Sequence, residues 1–453
     1  MKKQLLIPCL LLFGITSQAQ SALDTYLADG LSNNLVVQQK NISLEKSMYA
    51  LKSANSLFLP TIGVQANYTS GEGGRSIDLP IGDLMNPVYS TLNQLTASNS
   101  FPQISNESIG FFPANFYDAK VHTTLPIINS DLIFNRQIQE QQVAIQNDEL
   151  DIYKKELIRS IRVAYFTYLS AEKAVAIYEQ SLELAKEGKR VNESLVANGK
   201  GLPAYLIRSD AEIEKLNAQI NEAKLQANNA QLYFNFLLNR DGASVIDTNY
   251  DDQPALVRAA QVAAIAQPVT SQREELRMMN HAISINQTII RMNRFFWTPK
   301  VGAFLDLGSQ ASGWEFNSQS RYYLAGVQLD FPLFSGFRNR YRITQSKFDL
   351  QFSQLNLQLM TRQFELSAAV ARNAVNAAYS NYLSAQKQQE AAITYRQLID
   401  KGYQEGVNTF IETLDARSQQ AQAQLAASIA RYRVLTELAN YDRETASPIQ
   451  PVK

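Results

Sequence analysis

The sequence predicts a mainly α-helical chain with a small β part and an internal duplication, on three observations. Tyr-x-x-Tyr-Leu-Ser-Ala-x-Lys occurs first from Tyr165 to Lys173 and again from Tyr379 to Lys387, an offset of 214 residues. That offset lies far beyond the roughly 20–50-residue periods of solenoid repeats, so it points to duplication of a domain-sized unit. Between Ser130 and Asn198 there is no proline, and such a stretch at 1.5 Å rise per residue predicts a helical rod of roughly 100 Å. Four short segments, residues 61–69, 118–125, 300–308 and 322–331, alternate apolar with polar or small side chains at the period of a β-strand.

The chain starts with Met-Lys-Lys, an apolar run from Leu5 to Ile15, and Ser17-Gln18-Ala19. This is the pattern of a secretory signal peptide spanning residues 1–19. The single cysteine, Cys9, falls in that run, so the mature chain is expected to have no thiol for disulfides, metal binding or catalysis. Lys plus Arg equals Asp plus Glu at 42 each, which gives no basic footprint for nucleic acid. No later segment is apolar for long enough to form a transmembrane helix, so a role in the membrane requires a closed β-barrel.

The strand segments fit that requirement. In the third, Val301, Ala303, Leu305 and Leu307 share one face, and in the fourth Tyr323, Ala325, Val327, Leu329 and Phe331 do. One greasy and one mixed face is what a lipid-facing barrel strand needs, although soluble sandwiches contain such strands too.

The segments form two hairpins. Each is preceded by a helix, about residues 23–57 and 273–296, ending at Leu59-Pro60 and Thr298-Pro299, and each is followed by a very long one. In the first long helix Leu150, Leu157, Ala164, Ala171, Tyr178 and Ala185 recur every seven residues, interleaved with Lys154, Ile161, Tyr168, Val175 and Leu182. This is a coiled-coil stripe. The offset of 214 reproduces it from Phe364 through Ala371, Ala378 and Ala385, with Ala368 and Val375 between.

Glycines then end each rod, Gly199 and Gly201 in one copy and Gly402 and Gly406 in the other, and a return helix follows. The stripe of the second return helix reads Ile411, Ser418, Leu425, Tyr432 and Ala439. The domain reading is therefore a first repeat over 20–240, a connecting segment over 241–272 with an irregular belt from Gly242 to Pro268, a second repeat over 273–446 and a tail over 447–453. Residues 70–117, rich in Gly, Ser, Asn and Pro, read as a large external loop folded by its aromatics Phe101, Phe111, Phe112, Phe116 and Tyr117.

In this order these features resemble the TolC-type outer-membrane channel family almost end to end. The matching marks are Phe58-Leu59-Pro60, LPIINSDLIFNR from Leu125, FPLFSGFRNR from Phe331 and GVNTFIETLDAR from Gly406. The resemblance implies a trimer: four strands per chain close one twelve-stranded barrel in the outer membrane of a Gram-negative bacterium, and a coiled-coil α-helical barrel continues it through the periplasm. Four strands alone would leave backbone groups unpaired in lipid.

The same resemblance places a periplasmic entrance on Tyr403, Glu412 and Asp415, where six carboxylates from three chains would surround one axis. From the residues alone, acidic groups at a helix start are also explained by the helix dipole. In the first repeat the corresponding positions are Leu206 and Ile207, so a complete polar latch between the repeats is not expected there. Gly201, Leu202, Gly406 and Val407 are the expected docking tips for a periplasmic adaptor leading to an inner-membrane pump.

The functional reading is a passive, gated exit duct for small toxic molecules. The alternatives are the outer channel of a type I protein secretion system and a periplasmic coiled-coil scaffold with no pore. No enzyme, cofactor or metal site is expected. His122 and His281 have no ligand-spaced partners in the sequence, and Gly71-Glu72-Gly73-Gly74 lacks the lysine and helix of a phosphate loop.

Overall fold

The computed structural model describes residues 22–112, 115–264, 270 and 272–445. The expected signal peptide and C-terminal tail, with Cys9, lie outside them. In chain order the elements are α1 (Ala22–Asn33), α2 (Leu35–Ser56), β1 (Thr61–Thr69), β2 (Ser76–Leu79), α3 (Ile81–Thr96), β3 (Glu107–Gly110), β4 (Phe116–Ile128), α4 (Ser130–Ala197), α5 (Pro203–Leu237), α6 (Gln253–Ala264), α7 (Glu274–Arg294), β5 (Lys300–Ser312), β6 (Arg321–Asp330), α8 (Arg338–Gln404) and α9 (Phe410–Glu444). Two units emerge: a helical one from Met1–Ser47, Gln141–Ser284 and Gln351–Lys453, and a sheet-bearing one from Met48–Glu140 and Ile285–Leu350.

In the helical unit many of the heptad positions are buried, and others such as Ala171, Tyr178 and Ala371 are half-buried. Leu150, Leu157, Ile161, Ala164, Tyr168 and Val175 lie inside along α4, and Ala368, Val375, Ala378 and Ala385 along α8. Small residues at the second set let helices approach closely. Tyr165 and Phe234 are fully enclosed, with ring centroids 5.7 Å apart and Tyr26 edge-on to Phe234 at 5.1 Å. The Tyr165 hydroxyl donates to the Asp247 carbonyl at 2.8 Å. Each such large side chain contributes roughly 1.5–3 kcal/mol on burial.

The first helix expected over 23–57 is broken at Asn34. Its side-chain oxygen accepts from the backbone N–H of Val36 at 2.9 Å and Val37 at 3.2 Å, which caps α2, while its amide donates to the Leu237 carbonyl at 2.9 Å. The belt expected to be irregular contains α6. Pro254 sits in the first turn of α6, where its missing N–H costs nothing. Arg258 of α6 holds Asp442 of α9 through 2.9 and 2.5 Å bonds, and Asp252 grips Arg431 in a two-pronged pair.

A buried ionic weld joins the start of α7 to the end of α9. Arg273, 3 % exposed, bonds both oxygens of Glu275 at 3.2 and 2.9 Å and reaches the carboxylate and carbonyl of Glu444 at 2.7 and 2.9 Å. Its guanidinium lies 3.9 Å from the Phe364 ring centroid. Arg443 donates to Glu275 at 2.6 Å and to Glu156 at 3.2 Å.

In the other unit, four antiparallel strands run in the order β1-β4-β5-β6, and register aligns the apolar faces. Val64, Val121, Leu307 and Tyr323 form one row across all four strands, and Ile62, Thr123, Leu305 and Ala325 the next. Pro126 stands at the register shift of β4, the place a strand tolerates a residue with no N–H.

The expected loop over 70–117 is more regular than composition suggests. β2 pairs with β3, and α3 accommodates Pro87. Two asparagines of α3 hold the returning chain by amide-to-peptide bond pairs, Asn86 with Ile104 at 2.9 Å each way and Asn93 with Phe101 at 2.8 and 3.0 Å. Of the aromatics expected to fold it, Tyr117 is buried against Trp314 and Phe316 at 5.7 and 4.7 Å between ring centroids, Phe101 is half-buried beside Tyr89 at 5.8 Å, and Phe111 and Phe112 stay exposed.

Candidate functional site

The two helix turns close in the same way. After α4, the Gly199 N–H donates to the Val196 carbonyl at 3.0 Å and Lys200 N–H to Leu195 at 2.8 Å. After α8, the Gly406 N–H donates to Tyr403 at 3.1 Å and Val407 N–H to Gly402 at 2.8 Å. Both are Schellman stops, with glycine in the left-handed region at φ +73° and +77°. The helix starts differ. α5 begins with Pro203 and has no side-chain cap, whereas α9 begins with a complete capping box between Thr409 and Glu412.

That box defines what Glu412 does within the chain. Its Oε2 accepts from the Thr409 N–H at 2.6 Å and the Thr409 hydroxyl at 3.0 Å. The backbone bond from Thr409, helped by its hydroxyl and by Asn408, holds the Glu412 carboxyl below the usual range. Asp415, one turn on, is exposed and accepts from Gln419 at 2.8 Å.

Tyr403 is half-buried and its hydroxyl donates to Asn192 of α4 at 3.2 Å. Burial, with Tyr205 nearby, pushes its phenol up, against a smaller pull down from Arg417.

The residue that organises the tip is one the sequence reading passed over. Phe410 is 4 % exposed, with Tyr205 of α5 at 5.3 Å and Tyr403 of α8 at 6.3 Å between ring centroids. Ile411, expected in the buried stripe, is exposed instead. Beside Phe410, Arg417 bonds Asp400 of α8 at 3.3 Å through Nε and Nη2 and donates from Nη1 to the Leu184 carbonyl of α4 at 2.9 Å. Gly188 makes room, because a Cβ there would stand 2.9 Å from that Nη1 and 3.7 Å from the Phe410 ring. A buried glycine inside an otherwise unbroken helix was the available signal.

Of the expected docking positions, Leu202 and Val407 are well exposed, as are Ile207 and Ile411. Gly201 closes against its own helix, since a Cβ would stand 2.8 Å from Val196 N; Gly406 alone faces open space.

Both histidines find carboxylates in three dimensions, Asp306 beside His122 and Asp148 at 3.6 Å from His281. Among the described residues, however, no cluster of His, Cys, Asp and Glu could hold a metal, and no helix is long and apolar enough to cross a membrane.

A family profile described as outer membrane efflux protein matches residues 27–240 and 265–442. The alkaline protease secretion protein AprF of Pseudomonas aeruginosa is 21 % identical over 327 residues, 71 % of this chain and 68 % of that one. Two solved channels share the fold. VceC of Vibrio cholerae is 13 % identical with a TM-score of 0.72 and coverage of 93 % and 95 % of the two chains. The open state of MtrE of Neisseria gonorrhoeae is 17 % identical with a TM-score of 0.70 and coverage of 94 % and 88 %. The chain belongs to the outer membrane efflux protein family, as an outer-membrane channel and not an enzyme.

Proposed function

We propose that three copies of this chain close a gated exit duct for small toxic molecules, fed by an inner-membrane pump through a periplasmic adaptor. The observation that carries this reading is the sheet. Its apolar rows are exposed, Val64 at 80 % and Tyr323 at 77 %, and its outer strands β1 and β6 each have one partner among the described strands. Such edges are stable in lipid only when other copies pair with them. Family membership removes the poreless scaffold from consideration.

The entrance reading places Tyr403, Glu412 and Asp415 around the axis and Leu202, Val407, Gly406 and Gly201 at the adaptor contact. With Leu206 and Ile207 in the first-repeat positions, the shut entrance relies on apolar contact and on the second-repeat tip. Unchanged conductance in Glu412→Gln, Asp415→Asn and Tyr403→Phe would count against this.

A second reading, export of a polypeptide by a one-step route, is favoured by the name of the AprF relative. Cells lacking the chain separate the two. Raised accumulation of a fluorescent dye, reversed by restoring the chain, supports small-molecule efflux; normal accumulation with loss of a secreted protein supports polypeptide export.

A further inference from the structure

We propose that the helix-bearing end of the sheet is a collar that binds anionic phospholipid headgroups in the inner leaflet of the outer membrane. The inference rests on the family's place in that membrane and not on what the duct carries. Register puts Thr61 of β1, Ile128 of β4, Lys300 of β5 and Asp330 of β6 at one end of the sheet, where each strand meets a helix. The rods reach into the periplasm, so this end lies at the periplasmic leaflet.

Two segments at that end, residues 291–300 and 329–342, carry Arg291, Arg294, Lys300, Arg338, Arg340 and Arg342 against the single carboxylate of Asp330. Lys300 is neutralised by Asp131 at 2.6 Å, but Arg294, Arg338, Arg340 and Arg342 are exposed, and none pairs with a carboxylate among the described residues. The last three open α8, where the positive end of the helix dipole favours acids. α4, α7 and α9 begin with Asp131, Glu274 and Glu412, whereas α8 has no acid in its first turn. Interleaved with these cations in sequence, Trp297, Leu333, Phe334, Phe337 and Tyr341 are exposed, and the apolar row of β6 runs into them through Leu329 and Phe331. Exposed rings with unpaired guanidinium groups fit the depth at which acyl chains meet phosphates, since rings settle at that boundary and a guanidinium takes two phosphate oxygens at once. A zwitterionic headgroup offsets its phosphate with its own ammonium, so the surplus of cations selects lipid of net negative charge.

Spin-labelled lipids test this. In vesicles of phosphatidylcholine and phosphatidylglycerol, the purified full-length protein is expected to immobilise labelled phosphatidylglycerol several-fold more than labelled phosphatidylcholine, and added salt to shrink the difference. Arg338→Gln/Arg340→Gln/Arg342→Gln keeps helix-forming side chains and is expected to immobilise the two lipids equally. Arg362→Gln, an exposed position farther along α8, is expected to keep the preference of the parent. Equal immobilisation of the two lipids by the parent overturns the inference without help from any variant. A triple variant that keeps the preference overturns it too, and a shift of its ion selectivity in planar bilayers would place the arginines in the bore. Equal loss of preference in Arg362→Gln would assign the effect to overall charge and not to the collar.

Discussion

Arg417 donates to the carbonyl oxygen of Leu184 at 2.9 Å, inside a helix whose own ladder normally claims that oxygen. The contact needs Gly188. Alanine at 188 would gain about 1 kcal/mol of helix propensity and displace a charge-assisted bond of about 1.5–3 kcal/mol. The second outweighs the first by about 0.5–2 kcal/mol, so Gly188→Ala should lower thermal stability modestly. Leucine would also meet the Phe410 ring, and overpacking typically costs about 1–3 kcal/mol. Gly188→Leu should therefore lower the melting temperature, read by circular dichroism, well below that of Gly188→Ala.

Glu412 and Asp415, which the resemblance sets together at the entrance, make different contacts within the chain: Glu412 closes the cap and Asp415 bonds Gln419. Since the Thr409 backbone bond keeps Glu412 ionised below the usual carboxylate range, its charge persists as pH falls through that range and is lost only at its lowered folded value. Glutamine preserves the box, because an amide can also accept from the Thr409 N–H. The double variant Glu412→Gln/Asp415→Asn should fold as the parent does and lose cation preference, seen as a reversal potential moving toward zero under a salt gradient. Glu412→Ala should in addition show faster amide exchange in the first turn of α9.

The weld at Arg273 predicts an acid transition. Burial alone would raise the Glu275 carboxyl, but hydrogen bonds from Arg273 and Arg443 outweigh it and bring it down to about 2. A folded value below the unfolded one means that the stabilisation is complete above the ordinary carboxylate value of about 4.3 and disappears as pH drops toward 2. Urea midpoints should hold steady from neutral pH to about 5 and then fall. Glu275→Gln takes the shared carboxylate from two buried guanidinium groups but leaves Arg273 on Glu444 and Arg443 on Glu156, so it should cost less than the roughly 3–5 kcal/mol of an unpaired buried charge, and its midpoint should be lowered already at neutral pH.

The strands and rods were legible because they rest on periodicity: α4 ends two residues before Gly199, and many of the heptad positions of both rods, from Leu150 to Val175 and from Ala368 to Ala385, are buried. What was not legible depended on proline in a permitted place or on contacts distant in sequence. The segments holding Pro254 and Pro87 read as an irregular belt and a loop, yet one proline sits in the first turn of α6 and the other lies within α3. Arg417 closes the GVNTFIETLDAR motif, and nothing local reveals that Leu184, 233 residues away, accepts a hydrogen bond from it. Ile411 and Phe410 exchanged places because the cap at Thr409 sets the phase of α9, and a heptad count does not carry that phase across a turn.

The sheet gives the last prediction, which separates its two faces. Leu307 lies in the apolar row with Val64, Val121 and Tyr323, whereas its neighbour Asp306 points the other way, bonded to Lys120 at 2.8 Å. If the apolar row faces lipid, arginine at Leu307 costs about 2–4 kcal/mol near the midplane. Gln328, opposite Gly302 on β5, belongs to the polar face, and arginine there meets water. Leu307→Arg should therefore be depleted from the outer-membrane fraction relative to the parent, and Gln328→Arg should be recovered in full but with altered ion selectivity. Equal recovery of the two variants would mean that the apolar row does not face lipid, and the barrel would have to be rebuilt with its faces exchanged.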